Sequence, residues 1–194
     1  KRPFALLDGE PPAEIVVAAN KAARALGVEA GMTRLQAESF PEVVALSRKL
    51  KDEASSQMIL HTIVCLFSPR IEYVEKYPGT YALDIEGMNR LYGDAEQLAT
   101  KLRQSTMAAG FLANVAIAEN FHAAVCLALG RTGVSVALPG CEAEAMRDLP
   151  LRVLSLEPQH EEIFQSWGIR TCGELAALAE TDLIARIGQT GKKL

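Results

Sequence analysis

Asp84 and Glu86 lie in a segment, residues 68–94, that reads SPRIEYVEKYPGTYALDIEGMNRLYGD. They are two apart in an alternating run, so they share one face of a strand. Paired carboxylates on one face are the donor type that Mg²⁺ selects. Two other groupings suit anions. Lys21 and Arg24 fall three apart on a predicted helix and share a face. That pair could hold phosphate oxygens; the plainer alternative is a solvated basic face. Gly168, Ile169, Arg170, Thr171 and Gly173 form a tight turn between two predicted helices. Such a turn can present backbone N–H groups and a helix N-terminus to a nucleic-acid phosphate; the alternative is a helical pair used only for packing. The three histidines (His61, His122, His160) have no ligand spacing, and the four cysteines (Cys65, Cys126, Cys141, Cys172) contain no C-x-x-C. The cysteines fit reduced, buried thiols better than a disulfide or zinc framework.

The elements that must position these residues follow from pattern. Tyr81, Leu83 and Ile85 alternate with Thr80, Ala82, Asp84 and Glu86, the period of a half-buried strand. Residues 70–75 read as its hairpin partner across a turn holding Pro78 and Gly79. Gly87 and Gly93 flank the following loop, and Asp94 with Gln97 is set to cap a helix from Ala95. Upstream, residues 3–8 and 14–19 read as strands, then a helix from about Asn20 to Leu26 ends at Gly27. Residues 52–67 predict an amphipathic helix with Met58, Ile59, Ile63, Leu66 and Phe67 as its apolar stripe. Residues 111–118 and 133–139 read as strands around a helix that ends at Gly130. After Leu149-Pro150 come two helices about the 168–173 turn, the second opened by the capping box Thr171/Glu174.

Composition sets the bounds. The chain has 194 residues, with 20 basic against 24 acidic side chains and a net charge of −4. That length can bury a sizeable core in one or two domains. The charge is not that of a strongly basic nucleic-acid binder, so any contact with DNA must come from local patches. No apolar run approaches the roughly 20 residues of a membrane span, and no signal peptide is visible. The chain opens on a strand and closes on GQTGKKL, which reads as a piece of a longer polypeptide.

Three motifs, in order, resemble the Y-family (DinB/UmuC-like) translesion DNA polymerases. The first is a fingers pattern in which Asn20, Ala23, Arg24, Gly27, Val28, Gly31 and Met32 fall in register. The second is the palm frame: Ser68-Pro69, Ile71-Glu72, Leu83-Asp84-Ile85 and Leu91-Tyr92-Gly93-Asp94. The third is a strand-to-helix pattern kept at Gly110, Val115, Ile117, Ala118, Asn120 and Ala124. The thumb pattern is similar around residues 168–173 but departs near Glu157-Pro158.

The resemblance implies an α+β fold: a palm with a mixed sheet and helices on one face, small α/β fingers, and a helical thumb with a helix-hairpin-helix. It places fingers at 1–50, palm at 51–135 and thumb at 136–194; the family's first catalytic strand and little finger would lie outside the chain. It also implies lost chemistry. In active members an Asp-Glu pair holds Mg²⁺; counting back from Asp84, that pair falls on Gly79 and Thr80. A lysine that contacts the triphosphate falls on Val125, a second lysine on Phe121, and the nucleotide-gripping Tyr falls on Lys21, leaving Lys21 and Arg24 as a vestigial anion site. No bound metal is expected.

The branch resembled is that of the ImuB-like proteins. That resemblance implies a non-catalytic accessory scaffold in damage-induced mutagenesis. Its implied partners are primer-template DNA, held weakly and without sequence preference, a DnaE-type error-prone polymerase, ImuA and the β sliding clamp; its implied location is the bacterial cytoplasm, at the nucleoid. An active error-prone polymerase using Asp84 and Glu86, and a generic DNA-binding module, are the competing readings.

Overall fold

A computed structural model describes residues 2–179, 181 and 183. The chain divides into two compact units, Lys1–Ser56 and Gln57–Leu194. The fingers–palm division expected at 50/51 falls at the first turn of a helix that runs from one unit into the other, α3 (Leu50–Cys65).

In the first unit, β1 (Phe4–Asp8) is the middle strand of a three-stranded sheet. β2 (Ile15–Ala19) pairs with it antiparallel, and β3 (Val44–Ser47) pairs with it parallel. Ala5 and Leu7, two apart, point inward with Val16 of β2 and are sealed by Ala23, Val28, Ala37 and Val43. Two five-residue helices cover that face, α1 (Lys21–Ala25) and α2 (Arg34–Glu38). Asn20 joins helix to sheet. Its Oδ1 accepts from Ala23 N at 2.9 Å and from Phe4 N at 3.2 Å, while its Nδ2 donates to Arg2 O at 2.7 Å. Gly27 follows α1 at φ +101°, the left-handed geometry a helix stop requires. β3 is not evident in the sequence, because its four residues carry no alternation and are placed by pairing with β1.

One carboxylate lies inside this unit. Glu14 is 2 % exposed. It accepts from Arg34 Nε at 2.6 Å, from Arg34 Nη2 at 3.1 Å and from Ser47 Oγ at 2.6 Å, so one side chain ties α2 to β3. Arg34 first, then Ser47, hold its pKa below the ordinary glutamate value.

The second unit begins with the rest of α3. The hairpin of β4 (Ile71–Tyr73) and β5 (Tyr81–Leu83) is antiparallel, and Val74 N→Thr80 O and Asp84 N→Arg70 O extend its ladder. A short helix, α4 (Asn89–Tyr92), precedes α5 (Ala95–Ala108). Then β6 (Val115–Ile117), α6 (Phe121–Gly130) and β7 (Val134–Val136) make a βαβ crossover with parallel strands. The expected mixed sheet is thus two two-stranded sheets over one core of Val64, Phe67, Ala99, Leu102 and Val115. In the C-terminal part, α7 (Glu142–Met146) packs on a cluster of Cys126, Leu127, Ala137, Leu149 and Val153, and a 3₁₀ turn (Leu151–Leu154), α8 (Pro158–Ser166) and α9 (Cys172–Ala176) surround Leu151, Phe164, Ile169 and Leu175. No described helix is long and apolar enough to cross a membrane.

The stripe expected on α3 is corrected. Phe67 is buried and Ile63 packs against the core as expected, whereas Met58, Ile59 and Leu66 are 71 %, 48 % and 68 % exposed and Val64, outside the stripe, is buried. Apolar residues occur on more than one side of this helix, and only its neighbours select the buried one.

Two outcomes follow from these cores. Leu7→Ala and Phe164→Ala, at fully buried sites, should each cost about 3–5 kcal/mol in urea unfolding; Leu83→Ala, half-buried, should cost less. For Glu14, the depressed folded pKa means a stability contribution that is complete above the unfolded value, about 4.3, and is lost as pH falls through the folded one. Glu14→Gln should flatten the acid limb of a stability–pH curve below about pH 4.3.

Candidate functional site: the β4–β5 hairpin and the 168–173 turn

The residues of the SP and LYGD motifs come together as a structural lock. Ser68 is 2 % exposed. Its Oγ donates to Asp84 O and accepts from Arg70 N at 3.0 Å, so one hydroxyl closes the base of the hairpin. The Asp84 carboxylate is committed as well. It pairs with Arg70 Nε at 3.0 Å, and its Oδ1 accepts from Glu86 N at 2.9 Å. Glu86 reaches Arg70 Nη2 at 3.7 Å. The two acids that share a strand face therefore share an arginine. Farther on, Tyr92 stacks on Phe67 with ring centroids 4.8 Å apart and donates its hydroxyl to Leu66 O. Gly93 sits at φ +88°, a backbone conformation that L side chains rarely adopt, and an added Cβ would also displace the Gln97 side chain. That side chain completes the Asp94 capping box.

Gly79 and Thr80 sit where the turn enters β5. They line an apolar cavity of about 370 Å³. Leu60, Val64, Leu98 and Leu102 form part of its wall, and no carboxylate does. This donor set does not fit Mg²⁺, which binds through carboxylate oxygens. Phe121 and Val125 line the same cavity and differ in exposure: Phe121 is 44 % exposed and Val125 is buried at 8 %. The Val125 side chain therefore packs inward. Among the described residues no group of three or more His, Cys, Asp or Glu side chains could hold a metal ion. His61 Nε2 lies 3.5 Å from Cys65 Sγ, one turn along α3, and its ring is 5.8 Å from that of Tyr81.

Lys21 and Arg24 are both exposed on α1, three residues apart. Among the described residues neither belongs to an ion pair, so both charges remain available to a polyanion.

At 168–173 the expectation of free backbone N–H groups is corrected. Gly168 N donates to Gln165 O, Ile169 N to Phe164 O, Cys172 N to Leu149 O and Gly173 N to Arg147 O, at 2.8–3.0 Å. Arg170 N and Thr171 N both donate to Glu174 Oε2, at 2.7 and 3.0 Å. These two bonds, Arg170 N first, hold the Glu174 pKa below its ordinary value. The turn does bind an anion, and the anion is its own carboxylate. Gly173 has a packing role: an added Cβ would sit 2.6 Å from Arg147 Cγ and 2.9 Å from Arg147 O. Ile169 is buried. Only the exposed Arg170 side chain is left to meet a ligand. No sequence pattern announces the partners Arg147 and Leu149, which lie on the preceding segment.

Gly173→Ala should cost about 1–3 kcal/mol because the backbone of residue 147 must yield. Thr171→Ala should cost about 1 kcal/mol through loss of the cap. Thermal unfolding of the two variants checks both values.

Comparison with known proteins places this geometry. Residues 1–128 match the impB/mucB/samB family. A DNA polymerase IV of Dehalococcoides mccartyi is 30 % identical over 94 % of this chain and 48 % of its own length. The DNA polymerase IV 2 of Mesorhizobium japonicum is 27 % identical over 93 % of this chain and 44 % of its own. The chain thus spans about half the length of the curated relatives it matches. Among solved structures, DinB from Sulfolobus solfataricus superposes with a TM-score of 0.74 at 18 % identity, over 97 % of this chain and 57 % of that one. An insertion ternary complex of Dbh DNA polymerase gives 0.71 at 19 % identity, with the same coverage. The α+β fold is that of the Y-family polymerases, and the chain belongs to the impB/mucB/samB family of UmuC/DinB-like Y-family polymerase domains.

Proposed function

We propose that this chain is the fingers–palm–thumb part of a non-catalytic Y-family homologue, an ImuB-like accessory scaffold for damage-induced DNA synthesis. One observation carries the reading. Where the palm of an active member places two metal-holding acids, this hairpin places Gly79 and Thr80 over an apolar cavity. The acids just past β5, Asp84 and Glu86, share the single charge of Arg70. Two-metal phosphoryl transfer needs carboxylates to fix the ions that stabilise the attacking and leaving oxygens. Burial of Val125 at the position resembling a triphosphate lysine supports the same reading. The scaffold would act by bringing primer-template DNA together with a DnaE-type polymerase, ImuA and the sliding clamp. It needs no cofactor of its own.

A second reading, an active translesion polymerase, is favoured by one fact: the curated relatives are named DNA polymerase IV. Primer extension separates the two. With Mg²⁺ or Mn²⁺ and all four nucleotides, the full-length polypeptide should extend no primer. Templated extension that is lost in Asp84→Ala would establish the polymerase reading instead.

DNA contact in this part of the protein would rest on few charges, namely Lys21, Arg24 and Arg170. The net charge of −4 gives no broad attraction. Binding to primer-template DNA should be weak, without sequence preference, and shallow in salt. Each phosphate contact contributes about −0.9 to the slope of log K against log salt, so Arg170→Ala should reduce the slope by about one contact. An unchanged slope in Arg170→Ala would remove the thumb turn from the DNA interface.

A further inference from the structure

α3 carries an exposed face with no charge on it. Residues 54–67 contain no Asp, Glu, Lys or Arg, yet Met58, Ile59, His61, Thr62, Cys65 and Leu66 are all exposed. A helix face left to water ordinarily carries charged residues, whereas the centre of a protein–protein interface is depleted in them. Met58, Thr62, Cys65 and Leu66 are spaced by three, four and seven residues and make one stripe. The Thr62 hydroxyl is already used within the helix, donating to Met58 O at 2.9 Å.

Two metal ligands stand in that stripe. His61 Nε2 and Cys65 Sγ are 3.5 Å apart. Zinc bonds thiolate sulfur at about 2.3 Å and imidazole nitrogen at about 2.0–2.1 Å, and a tetrahedral angle between those bonds places the two atoms about 3.5 Å apart. The pair therefore already spans one edge of a zinc tetrahedron. The imidazole is backed by the Tyr81 ring at 5.8 Å, and Tyr81 is tied to the same helix by its hydroxyl, which donates to Gln57 O at 3.1 Å. Spacing among the histidines alone, or among the cysteines alone, does not mark this pair, because it takes one of each. Among the described residues no third His, Cys, Asp or Glu joins them, so one copy supplies half of a structural site.

We propose that α3 is a zinc-dependent contact between two copies of this chain, with one Zn²⁺ held by His61 and Cys65 of each. A two-fold axis beside α3 sets the stripe against itself and turns two half-sites into the Cys₂His₂ set that closes a structural zinc site. The uncharged stripe brings no like-charge repulsion to that axis, and Met58 and Leu66 gain cover. Each thiol releases its proton to solvent as the metal binds. Neither His61 nor Cys65 lines the apolar palm cavity, so the contact holds whether or not the palm is catalytic.

Metal titration and sedimentation test it together, on the 194-residue chain with its thiols kept reduced by a phosphine. Co²⁺ should develop thiolate-to-cobalt charge-transfer absorption and the intense visible bands of a four-coordinate ion, saturating at about one ion per two chains. Zn²⁺ should displace it, and the sedimenting mass should rise about twofold with Zn²⁺ and return with a chelator. Cys65→Ser and His61→Ala, both at exposed positions, should lose the absorption and the dimer while keeping the far-ultraviolet dichroism of the parent. Cys141→Ser, at another exposed cysteine, should change neither. Met58→Glu, which sets like charges across the axis, should weaken the zinc-dependent dimer by about tenfold or more. Saturation at one ion per chain, a monomer at saturating Zn²⁺, or a charge-transfer band kept in Cys65→Ser would overturn the proposal. So would a dimer that survives the chelator or is indifferent to Met58→Glu.

Discussion

The Ser68 hydroxyl donates to the carbonyl of Asp84 and accepts from the N–H of Arg70. With those two bonds it fixes both ends of the β4–β5 hairpin in a place almost closed to water. A buried hydroxyl left unpaired would cost about 1–3 kcal/mol, so the bonds are a constraint and not an ornament. Everything near the candidate site hangs from it: the Arg70–Asp84 pair at the hairpin base, the entry of Gly79 and Thr80 into β5, and the face that Tyr81 and Leu83 turn to the core. The motif positions that mark the family are, in this chain, held by the demands of the frame.

That separation of frame from chemistry is what the proposed non-catalytic reading requires: a fold that stands without metal-holding acids. Active-site carboxylates placed close together repel one another, and a site that needs them carries that strain. Glycine, threonine and an apolar wall carry none. Val125 is apolar, as suits an inward-facing side chain at 8 % exposure.

The 168–173 turn shows the same economy. A helix N-terminus attracts negative charge, and here Glu174 of the same helix answers it, bonding the N–H groups of Arg170 and Thr171. The N–H groups of Cys172 and Gly173 go to Leu149 and Arg147, which bind the turn to the segment before the 3₁₀ helix. The turn therefore acts as a clasp within the C-terminal part. Contact with an external polyanion is left to the Arg170 side chain.

What the sequence determined by itself is local. Asp94 with Gln97 and Thr171 with Glu174 are capping boxes because the bonds run between residues three apart. Gly27 ends its helix because few other residues adopt positive φ. The strands from Phe4, Ile15, Tyr81 and Val115 were legible from runs of β-forming residues. What only the tertiary structure decided depends on partners far along the chain. β3 exists because β1 lies beside it. Which side of α3 is buried depends on α5 and β6, and so Val64 goes in while Met58 stays out. Asp84 is an ion-pair partner because the hairpin brings Arg70 to 3.0 Å. The N–H groups of Cys172 and Gly173 are used up because Leu149 and Arg147 arrive beside them. Residue types and spacing specify bonds that close within a turn of chain; bonds that close through space are set when the core forms.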